Sequence, residues 1–153
     1  MITVPEVPAR PVLGPGWELV RECRKRFSAD LLLRGDGVTV DVRLERCAAG
    51  RLRDSYPVGA HDVEVRVGDE CPVAVLPDLL RTLVTALQRA DPDCRRILHA
   101  VQVERSSVIA AAESAGFRHV VDVDLEQAEL SLLVAEPDWA TRTDMDLDRV
   151  PGA

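Results

Sequence analysis

"ERSSVIAAAESAGFRHVVDVDL", residues 104–125, carries two different periodicities on either side of one glycine. Before Gly116 the inward positions Val108, Ile109 and Ala112 recur at helical spacing from about Ser106, and Ser106 or Ser107 is placed to cap the first turn. After it, valines alternate with aspartates, the period of a strand. Gly116 tolerates the left-handed conformation that ends a helix, and Phe117 is positioned to fold back onto a core. The stretch therefore predicts a helix that stops against a sheet. Upstream, "RILHAVQV" (96–103) is apolar on both parities, as a strand covered on both faces should be. Downstream, "ELSLLVA" (129–135) completes a hairpin turning at Glu126-Gln127.

Further out, Pro77-Asp78 opens a second helix, with proline in the first turn and an acid at the positive end of the helix dipole. Leu79, Leu80, Leu83, Val84 and Leu87 form its apolar stripe, and "ADPDC" ends it. "DVEVRV" (62–67) alternates Val63, Val65 and Val67 with Asp62, Glu64 and Arg66, another strand. "CAAGRLRDSYPVGAH" before it reads as a loop. "DLLLRGDGVTVDVRLER" (30–46) reads as a hairpin around Gly35-Asp36-Gly37. Trp17, Val20, Cys23 or Arg24, Phe27 and Leu31 recur at three and four, which predicts a helix over 17–27; a strand over 17–23 is the alternative. Residues 1–15 carry four prolines and predict an arm, residues 16–136 one domain, and residues 137–153 a polar, acidic tail with little to bury. The predicted order is helix, three strands, helix, strand, helix, two strands. That is an α/β (α+β) fold, a mixed and mostly antiparallel sheet with helices on both faces.

Composition narrows the function. At 153 residues the chain is long enough for one core without staples. A net charge of −7 argues against a general nucleic-acid binder, whose phosphate contacts need a basic surface. The one basic cluster, Arg21, Arg24, Lys25 and Arg26, reads first as a solvated helix end and second as an anion site. Cys23, Cys47, Cys71 and Cys94 lie more than twenty residues apart and form no CxxC pair, so no metal site is expected and buried free thiols are. No run approaches about 20 uninterrupted apolar residues, and the first residues lack a signal-peptide pattern, so a cytoplasmic location without membrane contact is expected.

The succession of elements over residues 62–135 resembles the GNAT superfamily, the acetyl-coenzyme A-dependent N-acetyltransferases. "ERSSVIAAAESAGFR" is the most specific piece: Ile109, Glu113, Ala115, Gly116 and Phe117 match the helix that precedes Ala-Gly-Phe in that family. The resemblance implies a sheet whose fourth and fifth strands diverge, acetyl-CoA or another acyl-CoA as cofactor with its pantetheine arm against strand backbone, and a small-molecule or peptide amine as acceptor. It places cofactor contacts at Val65, Val67, Val73, Ala74, Val75, Leu76, Val101 and Arg105.

The family grips the cofactor pyrophosphate with a glycine-containing loop at a helix start. Here the corresponding stretch is "GDECPVAVLPDLL", with no glycine between Cys71 and Leu80, two prolines that cannot donate, and acids at Asp69, Glu70 and Asp78. The anion cradle reads as damaged. Arg105 stands where the family often has Asn, and Ala112 where many members carry the Tyr that protonates the leaving thiolate.

Transfer to an amine needs a proton acceptor, and Glu64 is the candidate, facing either the cleft or solvent by strand alternation. His99 reads as a satisfied core histidine, His119 as structural or exposed, and Tyr56 as a loop residue able to line a site. Two functions follow. One is a divergent N-acetyltransferase with Glu64 as base and residues 71–80 as a remodelled cofactor loop. The other is a non-catalytic module of the same fold, a homodimer or partner subunit.

Overall fold

The computed structural model describes residues 3–8 and 11–136, so the tail at 137–153 lies outside the described residues. Seven strands form one sheet: β1 (Glu18–Arg24), β2 (Ser28–Gly35), β3 (Val38–Arg46), β4 (Val63–Val67), β5 (Ile97–Gln102), β6 (Arg118–Leu125) and β7 (Ala128–Ala135). Their spatial order is β1-β2-β3-β4-β5-β7-β6. Every neighbouring pair is antiparallel except β4 and β5, which run parallel. The crossover that parallel pairing requires is α1 (Leu76–Ala90), and α2 (Ser106–Ser114) links β5 to β6.

The two tight hairpins have the predicted turns. Asp36 and Gly37 at φ 51° and 76°, and Glu126 and Gln127 at φ 53° and 66°, are successive left-handed residues, the conformation whose twist matches the flanking strands. Gly116, at φ 99°, ends α2 as expected, and Phe117 is buried behind it. Neither predicted serine cap forms: Arg105 occupies the cap position of α2 and makes no side-chain cap bond.

Residues 18–24 are a strand, not the helix predicted over 17–27. β1 is a sheet edge paired only with β2, and its side chains are exposed or half-buried throughout. A strand held by backbone hydrogen bonds rather than by burial has no reason to alternate, and the three-and-four spacing there was coincidental. The basic cluster accordingly sits on an edge strand and its turn. Cys23, on that edge, is exposed rather than buried.

Both helices pack on one face of the sheet, where a distribution over both faces was expected. Leu79, Leu80, Leu83 and Leu87 of α1 and Val108, Ala111 and Ala112 of α2 share one apolar cluster with Leu31, Val42, Val65, Ile97, Val101 and Leu133. Each such leucine, fully buried, stabilises the fold by about 2 kcal/mol. The opposite face of the centre is covered by the segment between β3 and β4, whose Cys47 and Leu52 pack with Leu98, Leu132 and Val134. Arg46, 2% exposed, pins that arrangement: its guanidinium donates to the carbonyls of Glu6 and His61 and pairs with Asp91 at 2.8 Å. The amino-terminal arm is thereby tied to the loop and to the end of α1.

Candidate functional site

β4 and β5 start as a pair and then part. Val63 registers with Ile97 and Glu64 with Leu98, and no further residue of one strand opposes the other. Beyond that point lies a cleft of about 240 Å³ lined by the consecutive residues Arg66, Val67, Gly68 and Asp69 on one side and His99, Ala100, Val101 and Gln102 on the other. Successive strand residues point to opposite faces, so four in a row can line one opening only where the strand edge itself is its wall. Leu76 and Val108 close it from the helix side, Arg51 and Leu130 from the other. The cleft is thus a slot through the sheet.

At the root of the slot His99 bridges the gap. Its Nδ1 lies 2.8 Å from the carbonyl oxygen of Val65, and Phe117 stacks edge-on at 6.0 Å between ring centres. The carbonyl accepts only if Nδ1 carries the proton, which leaves Nε2 as a bare acceptor. That atom is buried and has no hydrogen-bond partner among the described residues. Burial pushes the His99 pKa below its ordinary value of 6.5, outweighing the bond to Val65 and the charge of Glu64. The ring is neutral, and the sequence reading of a satisfied core histidine is half right: one nitrogen is paired, the other is not.

Glu64 faces neither the cleft nor solvent. It is 1% exposed and lies on the face covered by the 47–62 segment, where Arg51 Nη2 meets Oε2 at 2.7 Å and Arg51 Nε lies 3.2 and 3.3 Å from the two oxygens. A buried carboxylate requires such a partner. The pair belongs to a chain of alternating charge across the sheet: Asp30, Arg43, Glu45, Arg66, Glu64, Arg51 and Glu126, linked at 2.7 to 3.6 Å. Arg51 and Arg66 present the cationic part of that chain to the slot.

Of the sequence-assigned contacts, Val67, Leu76, Val101 and Arg105 line the slot. Val65 is fully buried and contributes its carbonyl to His99. Val73 and Ala74 are exposed on the loop and Val75 is buried beneath it; none of the three lines the slot. Arg105 pairs with Asp69 at 2.8 Å across the mouth. Tyr56 lies under Arg96 in the second apolar cluster, and His119 pairs with Asp122 on the surface. Sequence reading missed Arg51, whose only signal was that a buried Glu64 would need a cation.

A thioester arm suits this slot: it is extended, and strand edges offer backbone groups to it. The loop from Gly68 to α1 does not suit a diphosphate. Leu76 and Val75 both donate their N–H groups to Pro72 O, Cys71 donates to Gly68 O, and Leu79 donates to Val75 O. Pro72 and Pro77 have none to give. Asp78 places an acid in the first turn, held by Trp17 Nε1 at 3.0 Å.

Elsewhere, His61, Asp91 and Asp93 bring ligand-type atoms within 4.8 Å of one another. Asp91 already neutralises Arg46 and bonds His61 at 2.9 Å, and these partners hold its pKa below the ordinary carboxylate value against the opposing effect of burial. Burial pushes the thiols of Cys47 and Cys94 up, that of Cys94 to about 12, so both are inert. No helix of the described residues is long and apolar enough to cross a membrane.

No family model matches the chain, and no curated protein matches it in sequence. Solved structures do match in fold. An uncharacterized protein from Bacillus halodurans is 16% identical over 82% of this chain and 68% of its own, with a TM-score of 0.68. The aminoglycoside acetyltransferase AAC(6')-Ib, in complex with ribostamycin and coenzyme A, is 15% identical over 76% of this chain and 68% of its own, at 0.63. A spermidine N-acetyltransferase SpeG chimera from Vibrio cholerae and hSSAT is 10% identical over 73% and 68%, at 0.55. The chain has the fold of the GNAT acetyltransferases.

Proposed function

We propose that this GNAT-fold chain is an N-acyltransferase that takes an acyl group from a pantetheine thioester of the acyl-coenzyme A class and passes it to the amine of a small molecule or peptide. The observation that carries the reading is the parting of β4 and β5 after Glu64 and Leu98, with both strand edges lining one slot. Support comes from fold-mates: the aminoglycoside acetyltransferase AAC(6')-Ib in complex with ribostamycin and coenzyme A, and a spermidine N-acetyltransferase chimera. The thioester, when bound, supplies the activated acyl group. Val67, Val101 and Leu76 wall its arm, and Arg105 stands at the mouth.

The proton leaving the amine is accepted, in this reading, by His99 Nε2. The ring lines the slot, burial favours its neutral form, and Nε2 is buried without a partner among the described residues. A donor reaching it also relieves the cost of leaving a buried acceptor unmet. Glu64 we assign to holding Arg51 against the slot wall rather than to the base role, since its oxygens already accept three close contacts.

The test is thiol release from S-acetylpantetheine or acetyl-coenzyme A against a panel of primary amines. His99→Gln is expected to lower the rate by about a hundredfold. Absence of release above the uncatalysed rate with every amine removes the enzyme reading. It leaves the second reading, a module of this fold without catalysis, which draws on the closed start of α1. Light scattering then decides whether that module is a dimer.

A further inference from the structure

We propose that the donor is recognised by its pantetheine arm alone, and that the nucleotide end of coenzyme A contributes little or nothing to binding. The proposal rests on the thioester-slot reading and adds the chemical class of the donor: a pantetheine thioester that need not carry adenosine phosphates. The arm can be free, or it can be attached to a carrier protein.

Three independent features of the loop exclude a diphosphate grip. First, most of the backbone donors are committed or missing. Of the N–H groups from residue 71 to residue 79, four are taken by internal carbonyls and two are absent at proline, which leaves at most those of Val73, Ala74 and Asp78. Second, the one glycine in the slot wall is covered. A β-carbon built on Gly68 would collide with the carboxylate of Glu70, so the bare backbone there is blocked by the chain's own anion. That carboxylate has a partner on β3: Glu70 Oε1 accepts the N–H of Asp41 at 2.9 Å, and Gly68 N–H donates back to Asp41 O at 2.8 Å. Third, the charges are wrong. Asp69 and Glu70 in the loop and Asp78 in the first turn of α1 are all acids, and Arg105, at the mouth, is already paired with Asp69.

The slot has none of these faults. Its walls are strand edges with the apolar Val67, Leu76, Val101, Val108 and Leu130, beside polar groups that include Arg51 and Arg66, and they meet the amide and methylene chemistry of a pantetheine arm. The root that grips the arm is therefore built, while the mouth that would grip phosphate is closed.

Calorimetry on the full chain with four probes tests this: S-acetylpantetheine, acetyl-coenzyme A, adenosine 3′,5′-bisphosphate and an acetylated carrier protein. The expected result is that the first two bind within about threefold of each other and the bisphosphate does not bind at millimolar concentration. Acetyl-coenzyme A affinity should also change less than about twofold between about 50 and 500 mM salt, since no phosphate contact is being screened. Glu70→Ala, which opens Gly68, should strengthen acetyl-coenzyme A at least about threefold and leave S-acetylpantetheine unchanged. A carrier protein that binds more than about tenfold tighter than S-acetylpantetheine assigns the arm to a protein-borne source; equal binding assigns it to a free thioester, and both support the proposal. Acetyl-coenzyme A binding more than about tenfold tighter than S-acetylpantetheine overturns it while leaving the slot reading intact. Failure of every thioester to bind overturns the slot reading, and the proposal with it.

Discussion

The root and the mouth of the slot have been treated differently by this chain. At the root, β4 and β5 separate, and the opening is walled by strand backbone, by apolar side chains and by Arg51 and Arg66. At the mouth, prolines, acids and internally used N–H groups replace the open helix start that holds phosphate. The difference shows which parts of a site depend on sequence. A gap between two strands survives almost any substitution that keeps both strands, because its walls are main chain. An anion cradle depends on particular glycines and free donors and is lost with two or three changes.

The contrast predicts that substitutions behind the root are costly and those at the mouth are not. Arg51→Ala leaves Glu64 buried without its main partner and should destabilise the fold by roughly 3 kcal/mol in urea titration, whereas the double variant Arg51→Met with Glu64→Leu should fall within about 1 kcal/mol of the parent. A mild effect of the single variant would show that Arg66, 3.5 Å away, is a sufficient counter-charge. Gln102→Trp, at an exposed position of the slot wall, should lower S-acetylpantetheine affinity about tenfold or more without loss of stability. Unchanged affinity would place the arm elsewhere.

His99 sharpens the comparison through pH. Its folded pKa is depressed, so as pH falls below 6.5 the unfolded chain takes up a proton before the folded one does. The stability from a neutral His99 is therefore complete above 6.5 and declines below it until the folded pKa is passed. Thermal melts of the parent and of His99→Gln should converge with falling pH in that window; parallel curves would mean that the ring is not held neutral. The smallest effect is expected at the mouth. Glu70→Ala should change stability by no more than about 0.5 kcal/mol, since it removes one exposed hydrogen bond.

Much of this architecture was legible in the sequence where structure is local. Gly116 with Phe117, the Asp36-Gly37 turn and the leucine stripe of α1 each follow from one residue's conformational preference or from periodicity. β1 was not legible, because an edge strand exposed on both sides carries no alternation to read. In the site, the family resemblance singled out Val67, Leu76, Val101 and Arg105, and the four line the slot. Strand alternation set Glu64 opposite Val63 and Val65 but left open what covers that face. The answer is the docking of the 47–62 segment, a contact between residues distant in the chain. The unpaired nitrogen of His99 has the same origin: which ring atom is satisfied depends on where the Val65 carbonyl lies after folding.

Amide hydrogen exchange with and without S-acetylpantetheine tests the parting of the strands most directly. Peptides covering 65–68 and 99–102 should exchange more readily in the free protein than the paired stretch at 63–64 and 97–98, and should gain protection with the thioester, while the edge strands β1 and β6 stay unchanged. Equal, full protection along both strands in the free protein, with no response to the thioester, would contradict the account.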